Sequence, residues 1–308
     1  MKNPVKTPYR SGFTLIELLV SMVITTIIIA SLVSITTISL DIWNRSRAEV
    51  RASLQGKAMI ESMAADFESM VFRQGNSSQW LFAKAAPLEE AVGSETITSN
   101  SIDLIFFSAA TDRYNGQIGE PEDLGGNVST VAYQLAYKNP IGDVGNSGDE
   151  ENFKTFILYR EIVDPRETFD DLLGEPNLQT AFASRSTDID ATENFVCENI
   201  YQFTVTFNLE VVNDSNQTVT VPIQLDQDTA EEFILSGTGV DCPNPNIAGI
   251  SAASLAAGRL TTVEVSLSVI TDSGLAQLKG RGLTGRSLEA FLTKYSYNYS
   301  KVIPVPIY

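Results

Sequence analysis

Few side chains in this sequence could do chemistry, and the first of them is in an apolar place. From Phe13 to Leu40 the only ionisable residue is Glu17; the rest is mostly Ile, Leu, Val, Thr and Ser. A lone carboxylate in an apolar helix costs about 2.5–3.5 kcal/mol at the centre of a bilayer and less near the interface, so such a residue is kept because it meets a partner. A buried carboxylate and a buried ammonium each cost several kcal/mol alone and are tolerable together. Gly12, just before Phe13, lacks a Cβ and would let a protease hold the chain extended at that point. Histidine is absent from the whole chain. That removes Ser-His-Asp and Cys-His catalysis and His-ligated zinc. Of the two cysteines, Cys197 and Cys242, either one disulfide or two free thiols can be made; the bridge would stabilise by about 4 kcal/mol on the chain-entropy model.

Other spacings invite sharper readings. Gly280-Arg281-Gly282-Leu283-Thr284-Gly285 fits G-x-G-x-x-G, but a dinucleotide site needs a strand directly before it and an acidic residue about 20 positions later. Ala276-Gln277-Leu278-Lys279 is a poor strand and no Asp or Glu follows Glu289, so a turn ending in a Ser287 cap is expected. Acidic pairs occur at Glu89/Glu90, Glu150/Glu151, Asp170/Asp171 and Glu231/Glu232. Glycosidases use two carboxylates about 5–9 Å apart, yet neighbours on a strand point to opposite faces, which makes these pairs solvated surface. The acidic loop from Asp143 to Glu151 is where calcium could be held, although it does not match the D-x-[DN]-x-[DN]-G spacing. No other cofactor and no metal site is expected. Tyr295, Tyr297 and Tyr299 alternate and would share one face of a strand, as a half-buried sheet face or a contact stripe.

Charge narrows the partners. The formal charge is −17, and the first 12 residues hold Lys2, Lys6 and Arg10 with no acid. Beyond Gly12 there remain 18 basic and 38 acidic residues, a balance of −20. So acidic a chain repels phosphate backbones, which argues against nucleic acid as a partner.

The elements that position these residues begin with the apolar run. A bilayer core of about 30 Å needs about 20 apolar helical residues, and Phe13–Leu40 exceeds that. The basic residues ahead of it keep the N-terminus cytoplasmic and put the chain beyond Leu40 across the membrane. The run is about twice too long for the apolar core of a secretory signal, and no Ala-x-Ala comes after it. No proline occurs between Pro8 and Pro87. The helix is therefore expected to continue through an amphipathic stretch carrying Val50, Leu54, Ala58, Met63, Phe67 and Met70/Val71, and to stop at Gln74 before Gly75. Such a helix would be roughly 90 Å long. Beyond it, alternation and β-branched content predict strands at Ile102–Ser108, Val128–Tyr137, Lys154–Val163, Phe203–Val212, Thr218–Leu225 and Leu260–Thr271. Short helices are predicted at Glu167–Leu173 and Ser287–Thr293, with loops at Asn139–Asn152 and Gly237–Asn246. The expected fold class is α+β, the long N-terminal helix packed on one face of an antiparallel sheet.

Gly12-Phe13-Thr14-Leu15-Ile16-Glu17 resembles the cleavage and methylation motif of type IV prepilins and type II secretion pseudopilins. The resemblance implies a basic leader, 1–12, removed by a prepilin peptidase that cuts between Gly12 and Phe13 and methylates the new amine of Phe13. It implies a membrane and filament-core helix over 13–40, its amphipathic continuation over 41–75 and an extracytoplasmic pilin-like head over 76–308. Glu17 would pair with the terminal amine of a neighbouring subunit during assembly. The partners implied are other major and minor pseudopilins and an inner-membrane assembly platform; the implied location is the inner membrane, single-pass, with incorporation into a filament. In the head, Met63-Ala64-Ala65-Asp66-Phe67, Tyr133-Gln134-Leu135, Leu158-Tyr159-Arg160 and Ile200-Tyr201-Gln202-Phe203 resemble the J-type minor pseudopilin. A non-enzymatic structural subunit is the reading this favours. A minor type IV pilus subunit (adhesion or pilus priming) is the near alternative, and a membrane-anchored sugar-binding or hydrolytic head is the rival from another class.

Overall fold

The computed structural model describes residues 12, 14–92, 95–109, 127–140, 153–185, 188–226, 231–243, 249–280, 283 and 285–306. The chain forms two compact units, Met1–Glu49 and Val50–Tyr308. Helix α1, Leu15–Glu68, runs through both; with no proline to break it, nothing interrupts its hydrogen-bond ladder. In the first unit its apolar side chains, Leu15, Ile24, Val33 and Leu40 among them, are exposed. In the second, α1 buries Ala52, Gly56, Met59, Ile60, Met63, Ala64, Asp66 and Phe67.

Two details of α1 depart from expectation. Val50 and Leu54 are exposed at 56% and 66%, and the buried stripe starts at Ala52 and passes through Gly56. The expected stripe holds from Met63 through Phe67 to Met70, which are buried, whereas Val50, Leu54 and Ala58, placed ahead of it at four-residue steps, are off the inward face of a helix with 3.6 residues per turn. The helix also ends at Glu68, not Gln74, because the next backbone groups find partners on a strand. Val71 N–H donates to Phe107 O at 2.8 Å and Ala109 N–H to Ser69 O at 2.8 Å. Gly75, at φ +92°, then makes the turn that only glycine adopts freely.

The second unit is built on thirteen described strands: β1 Gln79–Ala85, β2 Leu88–Val92, β3 Glu95–Ser99, β4 Ile102–Ser108, β5 Ser129–Lys138, β6 Thr155–Ile162, β7 Phe195–Glu198, β8 Ile200–Val212, β9 Thr218–Gln224, β10 Glu232–Ser236, β11 Gly239–Asp241, β12 Arg259–Ile270 and β13 Ser296–Pro304. All six strands predicted from alternation are present within a few residues. The pairing is antiparallel throughout and makes two main sheets, β11-β10-β1-β4-β5-β6-β7 and β13-β12-β8-β9, with β2-β3 as a separate hairpin. The single sheet expected from the sequence is therefore corrected to two. The long strands β8 and β12 pair with each other across ten registered positions, so they seed a sheet of their own.

The main core lies between α1 and the inner faces of both sheets. Phe67 stacks on Phe106 at 4.5 Å, and Phe207 of β8 stacks on Phe233 of β10 at 4.1 Å, joining one sheet to the other. The opposite face of the seven-stranded sheet carries Trp80, Phe82, Ile105 and Phe107. It is covered by the helical turns Pro165–Glu167 and Thr168–Leu172 and by α2, Leu178–Ala183. After the short helix α3, Ala252–Ala256, helices α4, Asp272–Lys279, and α5, Gly285–Tyr295, close a third cluster around Phe156, Tyr201, Ile270 and Phe291.

Candidate functional site

At the start of α1, Gly12 is open on all sides; a Cβ there would meet nothing within 4 Å. Phe13 lies outside the described residues. Thr14 and Glu17 bind each other reciprocally. The Thr14 backbone N–H and hydroxyl donate to Glu17 Oε2 at 2.9 and 3.0 Å, and Glu17 N–H donates to Thr14 Oγ1 at 3.3 Å. This is a capping box: each side chain satisfies a backbone donor the helix leaves orphaned. The T-x-x-E spacing is the sequence signal for this cap, and the apolar setting of Glu17 masks it by pointing first to an ion pair. Within one chain, then, Glu17 has a partner, and its carboxylate is held at the positive end of the α1 dipole.

Six further hydroxyls of the apolar run are satisfied within the helix. Ser21, Thr25, Thr26, Ser31, Thr36 and Thr37 donate their hydroxyls to carbonyls three or four residues back, at 2.7–3.0 Å. Hydroxyls satisfied within the helix can face hydrocarbon without an unmet hydrogen bond. Past the run, the Arg47 guanidinium lies 5.6 Å over the Trp43 ring, the kind of amphipathic pair enriched at membrane interfaces.

In the head, Asp66 is 1% exposed although charged. Arg160 of β6 grips it with two bonds, Nε to Oδ2 at 2.8 Å and Nη2 to Oδ1 at 2.6 Å, and the Tyr133 hydroxyl of β5 donates to Oδ2 as well. Burial, and then the charge of Asp66, raises the Tyr133 phenol well above its usual value, so it stays a donor. Burial alone would lower Arg160, but its bonds to Asp66 and the neighbouring Tyr133 outweigh that and hold it higher. The Tyr133 ring packs 6.2 Å from Phe203. The four short pieces on which the J-type likeness rests therefore meet in one place, where α1 is pinned to the seven-stranded sheet.

The remaining candidates separate. Cys197 and Cys242 are free buried thiols, not a bridge. Cys197 is on β7 and Cys242 comes just after β11, the two opposite edges of the seven-stranded sheet. Six interstrand spacings of about 4.8 Å lie along that sheet, whereas a disulfide needs Cα atoms within about 7 Å. Burial, with the charge of Glu198 second, pushes the Cys197 thiol up to about 11; burial and then Asp241 push Cys242 to about 11. Both are protonated and unreactive at neutral pH. The G-x-G-x-x-G stretch comes after α4 and opens α5, so no strand precedes it. Glu231 and Glu232 share Lys84 at 3.7 and 3.1 Å, and Asp170 faces Arg166 at 3.6 Å. Glu150/Glu151 and the acidic loop Asp143–Glu151 lie outside the described residues. Tyr297 and Tyr299 are on one face of β13, half-buried against the core, while Tyr295 ends α5.

The model of the prokaryotic N-terminal methylation motif matches residues 7–33. No curated protein and no solved structure matches the chain. The matched segment holds Gly12, the Thr14–Glu17 cap and most of the apolar run, and it feeds one long helix into an antiparallel α+β head. The chain carries the N-terminal methylation motif of type IV prepilin-like proteins at the head of a long helix.

Proposed function

We propose that this protein is a minor pseudopilin, a structural subunit of a type II secretion pseudopilus or a related filament. The observation that carries the reading is the junction of the methylation motif with a single helix whose later turns are the spine of the head. On this reading residues 1–12 are removed, the amine of Phe13 is methylated, and the helix leaves the bilayer to pack beside its counterparts. Glu17 then exchanges its bonds to Thr14 for the Phe13 amine of a neighbour, a swap of one satisfied state for another. Prepilin peptidase, other pseudopilins and the assembly platform are the partners. The head works by contact with other subunits, not by catalysis.

Mass spectrometry of the N-terminus of the protein from native membranes tests this. A chain beginning at methylated Phe13 is expected. Glu17→Gln should be cleaved like the parent yet enter filaments poorly. A chain still beginning at Met1, or cut beyond Leu40, sinks the proposal, and normal incorporation of the Gln variant removes the role given to Glu17.

A further inference from the structure

Charge is unevenly spread along this acidic chain. From Ser273 to Tyr308 five basic residues, Lys279, Arg281, Arg286, Lys294 and Lys301, face the single acid Glu289. From Phe13 to Asp272 there are 13 basic and 37 acidic residues. Three of the five, Lys279, Arg286 and Lys294, are on α4 and α5. Helix α5 turns Leu288, Phe291, Leu292 and Tyr295 onto the third core cluster and leaves Arg286 and Lys294 exposed. The Lys294 ammonium touches the ring of Tyr295, at 5.1 Å. Lys279 donates to the Lys154 carbonyl at 2.5 Å. Lys301 is engaged elsewhere, by Glu61 at 2.6 Å.

Glu289 is the one acid on α5, and the acids at the start of α4 and on β7 are engaged by other residues. Arg51 bonds Asp272, the first residue of α4, at 2.7 Å and Glu198 at 2.5 Å, and Asn199 donates to Asp272 at 2.6 Å. Those bonds also locate the patch. Arg51 is the second residue of the head unit, so α4 begins beside the point where the chain enters the head. Leu40, the end of the apolar run, is only eleven residues earlier, and Arg45 and Arg47 lie between them.

We propose that the exposed face of α4 and α5 docks on anionic phospholipid headgroups of the membrane surface from which α1 emerges. The proposal rests on the reading of α1 as a membrane anchor. It gives the subunit a second, salt-sensitive hold on the bilayer, released when the helix is drawn into a filament. Each Lys or Arg near an anionic surface contributes about a five-fold change in binding, falling off over a Debye length of about 8 Å at physiological salt.

The test is hydrogen–deuterium exchange of the full chain in nanodiscs of phosphatidylcholine alone or mixed equally with phosphatidylglycerol. Amides of α4 and α5 should exchange about five-fold or more slowly in the anionic discs. The difference should vanish in high salt and in the Arg286→Glu/Lys294→Glu variant. Equal exchange in the two lipids overturns the proposal. So does protection that survives salt and charge reversal, which would mark an apolar or protein contact. Protection of residues 15–40 reports insertion separately; if it is missing in both lipids, the anchor reading fails and takes the proposal with it.

Discussion

Asp66 shows how much one side chain of this fold depends on its neighbours. Its side chain is 1% exposed and that of Arg160 10%, so neither charge is screened by water, and each is tolerable only because the other is there. Removing one partner leaves a buried charge unmet. Asp66→Ala should therefore cost about 3–5 kcal/mol, whereas the double variant Asp66→Leu/Arg160→Met should cost much less, because replacing both partners by apolar groups is often near neutral. Thermal unfolding of the detergent-solubilised chain decides it; equal losses in both variants would mean the pin is ordinary packing. What the ion pair contributes is register: only one rotation and height of α1 brings Asp66 to both Tyr133 and Arg160.

At the scale of the element, α1 has to satisfy two environments with one backbone. Its first part is an exposed apolar surface on which Ser21, Thr25, Thr26, Ser31, Thr36 and Thr37 bond their hydroxyls to carbonyls of the helix itself. Its last part must let a sheet approach, and Gly56 is where that is closest. A Cβ at Gly56 would collide with the ring of Tyr299, reaching Cε2 at 2.8 Å and Cγ at 3.1 Å. Glycine within a helix costs about 1 kcal/mol relative to alanine, and here that loss is offset by the contact with β13. Gly56→Leu should destabilise by about 1–3 kcal/mol through overpacking. Combining it with Tyr299→Val should recover most of the loss, measured by the same melts. Failure of the second change to rescue the first would show that the crowding lies elsewhere.

For the whole molecule, the division at Val50 makes a definite expectation about autonomy. Ala52, Met59, Ile60, Met63, Ala64 and Phe67 all belong to the main core, and none of the residues before Val50 does. A chain beginning at Val50 should therefore be soluble and unfold cooperatively, while one beginning at Ser69 should not fold, because it strips six apolar side chains and Asp66 from the interior. Circular dichroism and denaturant titration of the two truncations test this; a cooperative transition in the shorter one would mean the sheets hold without α1. On the proposed function, the head's acidity, against the basic α4–α5 end, should make its association with other subunits sensitive to ionic strength.

What the sequence determined by itself was everything whose cause is local. The apolar length of Phe13–Leu40 and the absence of proline specify a long apolar helix, because helix formation needs only neighbours along the chain. The strands β8, β9 and β12 were legible because buried and less buried residues alternate along them, and β4, β5 and β6, buried on both faces over much of their length, were legible from their β-branched and aromatic content. The weaker strands β1, β7, β10 and β11 were not: β1 is buried on both faces and does not alternate, and β7 and β11 are only four and three residues long. Tertiary structure alone decided that helix α1 ends at Glu68, that there are two sheets, that Asp66, Tyr133 and Arg160 meet, and that the cysteines stand on opposite sheet edges. Each of those depends on residues tens to hundreds of positions apart, and no spacing along the chain encodes which strands become neighbours.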